Sequence, residues 1–407
     1  MTITRRSIIK TACALPLSSI VTVAASAAKT APSLPDKSSF EAMGISYLNN
    51  ASQHPISFKS SEAVEKYLAK RRLHPAAPTT LHDSKLPLES FAKLINADFD
   101  EVAYVQSTTA GEQMIIRGLG FPHVGGHIIT DEMHFPGSRA TYDGLARTGM
   151  DVTRIKEHQG QINLEDIQKA LRPDTKLIAI SLISMETGFK HDLKAICDIA
   201  HANGTLVYAD IIQAAGAMPV DVKNSGVDFA ACSSYKWLMA DFGVGFIYAS
   251  KAAQSRLTRT NFGYFGLNIA RTDQGKQEAA QNNGFPLSAS GHFAIGTRSF
   301  TGVAILSQSL DYILKLGVDN IHAHSQKMIN RLKDEIPALG IKLKTPFDSD
   351  GPMVVGAMMD ADKILNPHLK SANVKISTYP DHFRISPSVF NGMDDIDRVM
   401  AAIKAAL

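Results

Sequence analysis

Between residues 101 and 249 short apolar runs recur along the chain: EVAYVQ (101–106), GHIIT (126–130), DVTRI (151–155), KLIAISLIS (176–184), TLVYAD (205–210), VDFAAC (227–232) and VGFIYA (244–249). Each has strand length and is rich in β-branched and aromatic residues. Between several of them lie amphipathic stretches such as LEDIQKALR (164–172) and DLKAICDIAHAN (192–203). Their apolar positions repeat at helical spacing. Apolar runs separated by helical crossovers predict an α/β fold with a mostly parallel, seven-stranded sheet covered on both faces. From residue 300 the texture changes. FTGVAILSQSLDYILKLG and IHAHSQKMINRLKDEIPALG read as long helices, and two or three short strands follow. The pattern therefore predicts a large domain at 60–296 and a smaller α+β domain at 297–407, preceded by an N-terminal arm at 28–59.

Residues 1–27 stand apart. TRRSIIK (4–10) leads into a mildly apolar, Ser/Thr/Ala-rich stretch that ends in Ala25-Ser26-Ala27. These are the three zones of a secretory signal, and the stretch is too short and too polar for a membrane span. The paired Arg5 and Arg6 resemble the twin-arginine (Tat) export signal, so the expected location is the periplasm, with the Tat translocase as a transient partner and no stable membrane anchor. The leader also carries the whole charge excess. The chain has 42 basic and 39 acidic residues, and the leader holds three basic groups and no acid. A neutral mature chain offers no electrostatic footprint for nucleic acid. Cys197 and Cys232 are the cysteines beyond the leader, without metal-ligand spacing; both read as buried thiols.

In an open α/β sheet, ligands bind at the carboxyl ends of the strands. After the first run come Ser107, Thr108, Thr109, Ala110 and Gly111, an opening suited to a phosphate at a helix N-terminus and equally to ordinary capping. After the second come His134 and Phe135, and which of them stacks on a ligand ring stays open. Asp210 ends the fifth run with Gln213 three residues on, and SSYKW (233–237) follows the sixth, carrying Lys236 beside the one Trp of the chain. Taken singly, Lys236 is as readily a solvated charge at a strand end. Together these residues put a phosphate cradle, an aromatic ring, an acid and a lysine on one edge of one sheet.

That set resembles the pyridoxal 5′-phosphate (PLP) enzymes of fold type I, most of all the class V aminotransferase and cysteine-desulfurase-like superfamily. The similarity runs through YLNNAS (47–52), STTAG (107–111), HFPGS (134–138), ADIIQ (209–213), SSYKW (233–237), IGTRSF (295–300) and FRISPSVFNGMDDID (383–397). The resemblance implies that Lys236 carries PLP as an imine, that Asp210 pairs with the pyridinium nitrogen, and that Gln213 meets the phenolic oxygen while Phe135 stacks on the ring. Thr108, Thr109, Ser233 and Tyr235 would hold the phosphate, with Thr297 reaching across a homodimer, and Arg384 would clamp a substrate carboxylate. Two departures matter. Residues 298–407 contain no cysteine, so the desulfurases' nucleophile is missing, and Ser184-Met185 stands where many members carry Asn. The expected activity is transaminase-like, on an amino acid, an amine or a peptide or siderophore precursor. Isopenicillin-N-epimerase-like racemisation, carbon–sulfur elimination and a non-catalytic binding protein are the alternatives.

Overall fold

The computed structural model describes residues 33–40, 44–73, 85–263, 269–271, 277–279 and 286–407. The expected signal peptide at 1–27, the start of the arm and parts of the loop 259–290 lie outside the described residues. The chain enters through β1 (Ser46–Tyr47) and then supplies the central sheet: β2 (Val102–Val105), β3 (His127–Asp131), β4 (Asp151–Ile155), β5 (Thr175–Ser181), β6 (Leu206–Asp210), β7 (Phe229–Ser233) and β8 (Gly245–Ala249). The ribbon β9 (Ile269–Arg271) and β10 (Gln277–Ala279) follows, then β11 (Val354–Ala357), β12 (Val374–Lys375), β13 (Ser377–Thr378) and β14 (His382–Ile385). Among the helices, α1 (Phe58–Leu73), α2 (Lys85–Leu94) and α3 (Thr108–Gly118) flank the first strand of the sheet. Crossovers and connections carry α4 (Pro136–Arg147), α5 (Leu164–Ala170), α6 (Leu193–Ala202), α7 (Val222–Ser225), α8 (Lys251–Gln254) and α9 (Ala289–Phe293). The C-terminal part holds α10 (Phe300–Leu316), α11 (Val318–Ala338), α12 (Ala361–Ser371) and α13 (Met393–Ala406).

The seven predicted runs are the seven strands of one sheet, ordered β2-β8-β7-β6-β5-β3-β4. Only β8 runs against its neighbours. Strands β6, β7 and β8 are buried along their whole length. Both faces of the sheet are covered, and for that reason these strands read as continuous apolar runs rather than alternating ones. At the edge, β4 is largely uncovered and keeps its polar residues. Helix α3 is capped by Ser107, whose Oγ accepts from the Ala110 N–H at 3.1 Å. It lies close on the sheet because position 111 is Gly; a Cβ there would stand 3.0 Å from that of Ala231.

A three-stranded sheet, β11-β14-β13, has its own core of Leu332, Leu365, Phe383, Ile385, Ile396 and Ile403. The arm joins this sheet's neighbourhood to the large one. Strand β1 pairs in parallel with β12, and Asn49 bridges to Ser386. Five residues later the His54 N–H donates to the Tyr235 carbonyl at 3.0 Å. Residues 49–54 therefore run along the carboxyl edge of the central sheet.

Candidate active site

Six strands end on that edge, and the residues that close β6 and β7 lie close enough to influence one another. Asp210, 4% exposed at the end of β6, accepts the Ile212 N–H at 2.9 Å. Burial pushes its carboxyl up to about 6, against the pull of that hydrogen bond and of His134 and Lys236. Lys236 is 7% exposed in the turn after β7, and its Nζ has no hydrogen bond or ion pair among the described residues. Its Nζ lies 5.8 Å from the centre of the Tyr235 ring. Burial lowers the amine to about 8; Asp210 pulls it back up, and Arg384 pushes it further down. A buried amine with a lowered pKa is available as a base near neutrality.

Arg384, on β14, is 2% exposed, the largest charged side chain to be fully buried. Its Nη1 donates to the Met185 carbonyl at 3.1 Å, and its Nη2 to Ser52 Oγ at 2.7 Å and Ser377 Oγ at 3.3 Å. Its Nε has no partner, and among the described residues no carboxylate pairs with it. Gln213 is held at both ends, accepting from Trp237 Nε1 at 2.9 Å and donating to the Ala51 carbonyl at 3.1 Å. The close seat of Trp237 depends on Gly216 (φ +95°), where a Cβ would stand 2.3 Å from the Trp237 carbonyl oxygen.

Thr108 and Ser233 are reciprocally bonded. The Thr108 N–H donates to Ser233 Oγ at 2.8 Å, and the Ser233 N–H to Thr108 Oγ1 at 2.9 Å. This clamp ties the first turn of α3 to the end of β7. Thr109 stands exposed just beyond it. Tyr235 is half-buried and stacks on Phe242 at 4.4 Å. Phe135 is half-buried at the start of α4, whereas His134 is fully buried with Nδ1 2.8 Å from Ser181 Oγ and Nε2 3.2 Å from Glu112 Oε1. Of the two aromatic candidates His134 is enclosed and Phe135 is partly exposed.

Lys236, Asp210, Gln213, Ser233, Tyr235, Thr108 and Arg384 are thus brought together. Thr297 is not: it is exposed in the loop before α10, beside Tyr104 and Gln106. Cys197 and Cys232 are both buried free thiols. Burial pushes Cys197 up to about 12 and raises Cys232 well above the ordinary thiol value. Sequence reading missed Ser52, Ser377 and the Met185 carbonyl around Arg384, and His54 beside Tyr235. His54 bonds the Pro55 carbonyl and Ser388 Oγ, and burial lowers it to about 4, so it stays neutral. YLNNAS was the one signal pointing to this arm, and it carried position without role.

The profile of the family described as Aminotransferase class-V matches residues 62–346. Similar curated proteins include a probable cysteine desulfurase of Methanothermobacter thermautotrophicus, 28% identical over 62% of this chain and 60% of that protein. The chain thus matches less than two thirds of that relative's length. An uncharacterized aminotransferase of Bacillus subtilis, YcbU, is 25% identical over 77% of this chain and 81% of its own. Among solved structures, an apo cysteine desulfurase from Thermococcus onnurineus superposes with a TM-score of 0.79 at 20% identity, covering 92% of this chain and 98% of the other. The cystine C–S lyase C-DES, in complex with cysteine persulfide, does so at 0.79 and 18%, covering 89% and 98%. At these identities the superpositions speak to the fold alone.

Proposed function

The chain belongs to the aminotransferase class-V family of PLP-dependent enzymes, and from that premise we propose that it acts on the amino group of a carboxylate-bearing substrate by transaminase-like chemistry. The observation that carries this reading is Arg384. A guanidinium 2% exposed and bonded only to neutral oxygens lacks the anion that would offset its desolvation. A substrate carboxylate supplies it with a geometry suited to the planar fork.

The residues fit the cofactor. PLP, when bound, supplies an electron sink for negative charge on the carbon beside the reacting nitrogen. Asp210 is a buried carboxylate short of a cation, as a protonated pyridine nitrogen requires. Gln213, fixed by Trp237 and Ala51, keeps one amide hydrogen for the phenolic oxygen. Phe135 offers its ring face, and the first turn of α3 with Thr108, Thr109, Ser233 and Tyr235 receives the phosphate. Lys236 binds the cofactor and moves the proton at the substrate carbon, a role suited to an amine near pH 8. The inert, buried Cys197 and Cys232, and the lack of any cysteine in 298–407, weigh against desulfuration.

In this reading Arg5 and Arg6 send the folded protein through the Tat route to the periplasm, where it works as a homodimer completed by Thr297 of the second copy. Its substrate is a small amino acid or amine, or a peptide or siderophore precursor. Titration of the purified protein with a panel of amines, followed by near-ultraviolet and visible absorbance and by 2-oxo acid release, tests the reaction. A spectral response with oxo-acid formation is expected. Inversion of configuration without oxo acid would overturn transamination. Unchanged periplasmic abundance after replacing Arg5 and Arg6 by Lys would overturn the export route. A monomer in sedimentation that retains cofactor would overturn the dimer.

A further inference from the structure

The loop 345–353, between α11 and β11, carries none of the groups used above, yet a chain of contacts leads from it to Arg384. Helix α11 turns three side chains toward the loop, His322, Gln326 and Lys333, and their spacing of four and seven puts them on one face. Lys333 is 3% exposed, and its Nζ donates to the Phe347 carbonyl at 2.9 Å and to that of Ser349. Gln326 Nε2 donates to the Asp350 carbonyl at 2.9 Å and to that of Gly351 at 3.2 Å, and His322 Nε2 donates to the Asp350 carbonyl at 2.9 Å. The loop backbone is thus gathered around a buried ammonium. Burial works against its charge, and the nearby Asp348 and Asp350 favour it. A cation supplied with carbonyl oxygens in place needs no ligand.

The same loop lies against residues 184–190, which follow β5. Ser349 Oγ donates to the Gly188 carbonyl at 2.8 Å, and Lys190 Nζ meets Asp350 Oδ2 at 2.7 Å. The contact leaves no room for side chains. A Cβ at Gly351 would stand 2.3 Å from the Gly188 carbonyl oxygen, and one at Gly188 (φ +74°) would stand 2.8 Å from that of Met353. Two backbone bonds close the turn, from the Gly188 N–H to the Ser184 carbonyl and from the Ser184 N–H to the Phe189 carbonyl, each at 2.9 Å. Within that closed turn stands Met185, whose carbonyl accepts from Arg384 Nη1 at 3.1 Å. Ser52 and Ser377 hold Nη2, so among the described residues the Met185 carbonyl is what holds Nη1 and with it the plane of the fork.

From this geometry we infer that the loop 345–353 is a latch between the small sheet's domain and the 184–189 turn, with Lys333 and Ser349 as positioning residues for Arg384. Lys333 shapes the loop, Ser349 fixes the turn through Gly188, and the turn presents the Met185 carbonyl that orients the guanidinium. The function of the latch rests on Arg384 as the clamp for a substrate carboxylate. Neither Lys333 nor Ser349 touches a substrate.

Two carbonyl-directed reagents read the clamp in the holoenzyme without knowledge of the substrate: aminooxyacetate bears a carboxylate and methoxyamine does not. Each is titrated while the visible absorbance is followed. Ser349→Ala should raise the aminooxyacetate concentration for half the change by about fivefold, the scale of one hydrogen bond, and leave that of methoxyamine unmoved. Lys333→Met should show the same selectivity with a larger shift. With the clamp in place, equal shifts for both reagents, or none for either, would overturn the latch. Were Lys333→Met not to fold, Ser349→Ala, which removes a single oxygen, would decide alone. Arg384→Ala tests the clamp itself, and an unchanged aminooxyacetate response there would remove the carboxylate reading rather than the latch. The latch is then decided by nitrogen-15 NMR of arginine-labelled protein, with Arg384→Lys assigning the Nε–H signal. Displacement of that signal in Ser349→Ala is expected, and an unmoved signal would overturn the latch.

Discussion

Two polar regions share the carboxyl edge of the central sheet and use charge in opposite ways. One is an open cleft of about 690 Å³ between the ends of β3 and β4, the 186–187 turn and the small sheet. Three of its cations are paired: Arg139 with Glu186 at 2.8 Å, Lys344 with Asp381 at 3.4 Å, and Arg154 with Asp143. These pairs are partly in water, where an ion pair contributes little. In the other region, around Lys236 and Arg384, the two cations are almost fully buried without a carboxylate bonded to either. Room is plentiful in the first and uncompensated charge is concentrated in the second. Desolvated cations are stable only if something anionic, or a loss of charge, completes them, so the buried region is the better place to expect a ligand.

The sharpest break of that contrast is Lys236→Ala. Turnover should fall by about 10⁴-fold or more, the upper scale for removing a group that moves the proton, and the borohydride-sensitive absorbance should vanish while circular dichroism stays native. Lys236→Arg should behave alike, since a guanidinium is no base near neutrality. Turnover near wild type in either variant would make Lys236 a structural charge.

Next comes Arg384→Ala. The substrate concentration for half-maximal rate should rise by about 10²-fold, the scale of one lost partner in a buried charge pair, with cofactor absorbance intact. Arg384→Lys should recover little, because one ammonium cannot replace the fork. An unshifted concentration dependence would mean that no substrate carboxylate sits there.

A third test reads the burial of Lys236 in cofactor-free protein. Its amine falls from an ordinary 10.5 to about 8 on folding. Below about pH 8 the folded protein therefore holds an ammonium that the unfolded chain solvates better. Between about 8 and 10.5 the unfolded chain keeps the proton and the folded one does not, so stability rises with pH. Lys236→Met should be the more stable protein at pH 7, by roughly 3 kcal/mol at most, and should lose that advantage by pH 10.5. Urea melts at both pH values give the difference, and a constant gap would contradict the lowered pKa.

The smallest effect belongs to the open cleft. Lys344→Ala should change stability by about 0.5 kcal/mol or less and turnover by less than about twofold. A loss as large as that of Arg384→Ala would place the chemistry in the cleft and undo the contrast.

The strands, the mostly parallel sheet they form and several of the residues at their ends were legible in the chain. A strand covered on both faces must be apolar throughout, so β5 to β8 appear as runs, and the polar residues that follow β6 and β7 stand out as Asp210 and the Ser233–Lys236 turn. That signal is local, set by burial over five to nine neighbouring residues. The partners of these residues were not legible. Ser52 meets Arg384 across 332 positions and Thr108 meets Ser233 across 125, and His134 closes on Glu112 beneath an edge that neither residue announces. Which of His134 and Phe135 is enclosed also waited for the fold, because the two are adjacent and the packing of Tyr142 and Tyr208 against His134 decides it. By itself the sequence determined which elements form and which chemistry they carry at their ends. Strand order and the return of the N-terminal arm, which depend on long-range closure of the chain, decided which of those groups stand uncompensated together.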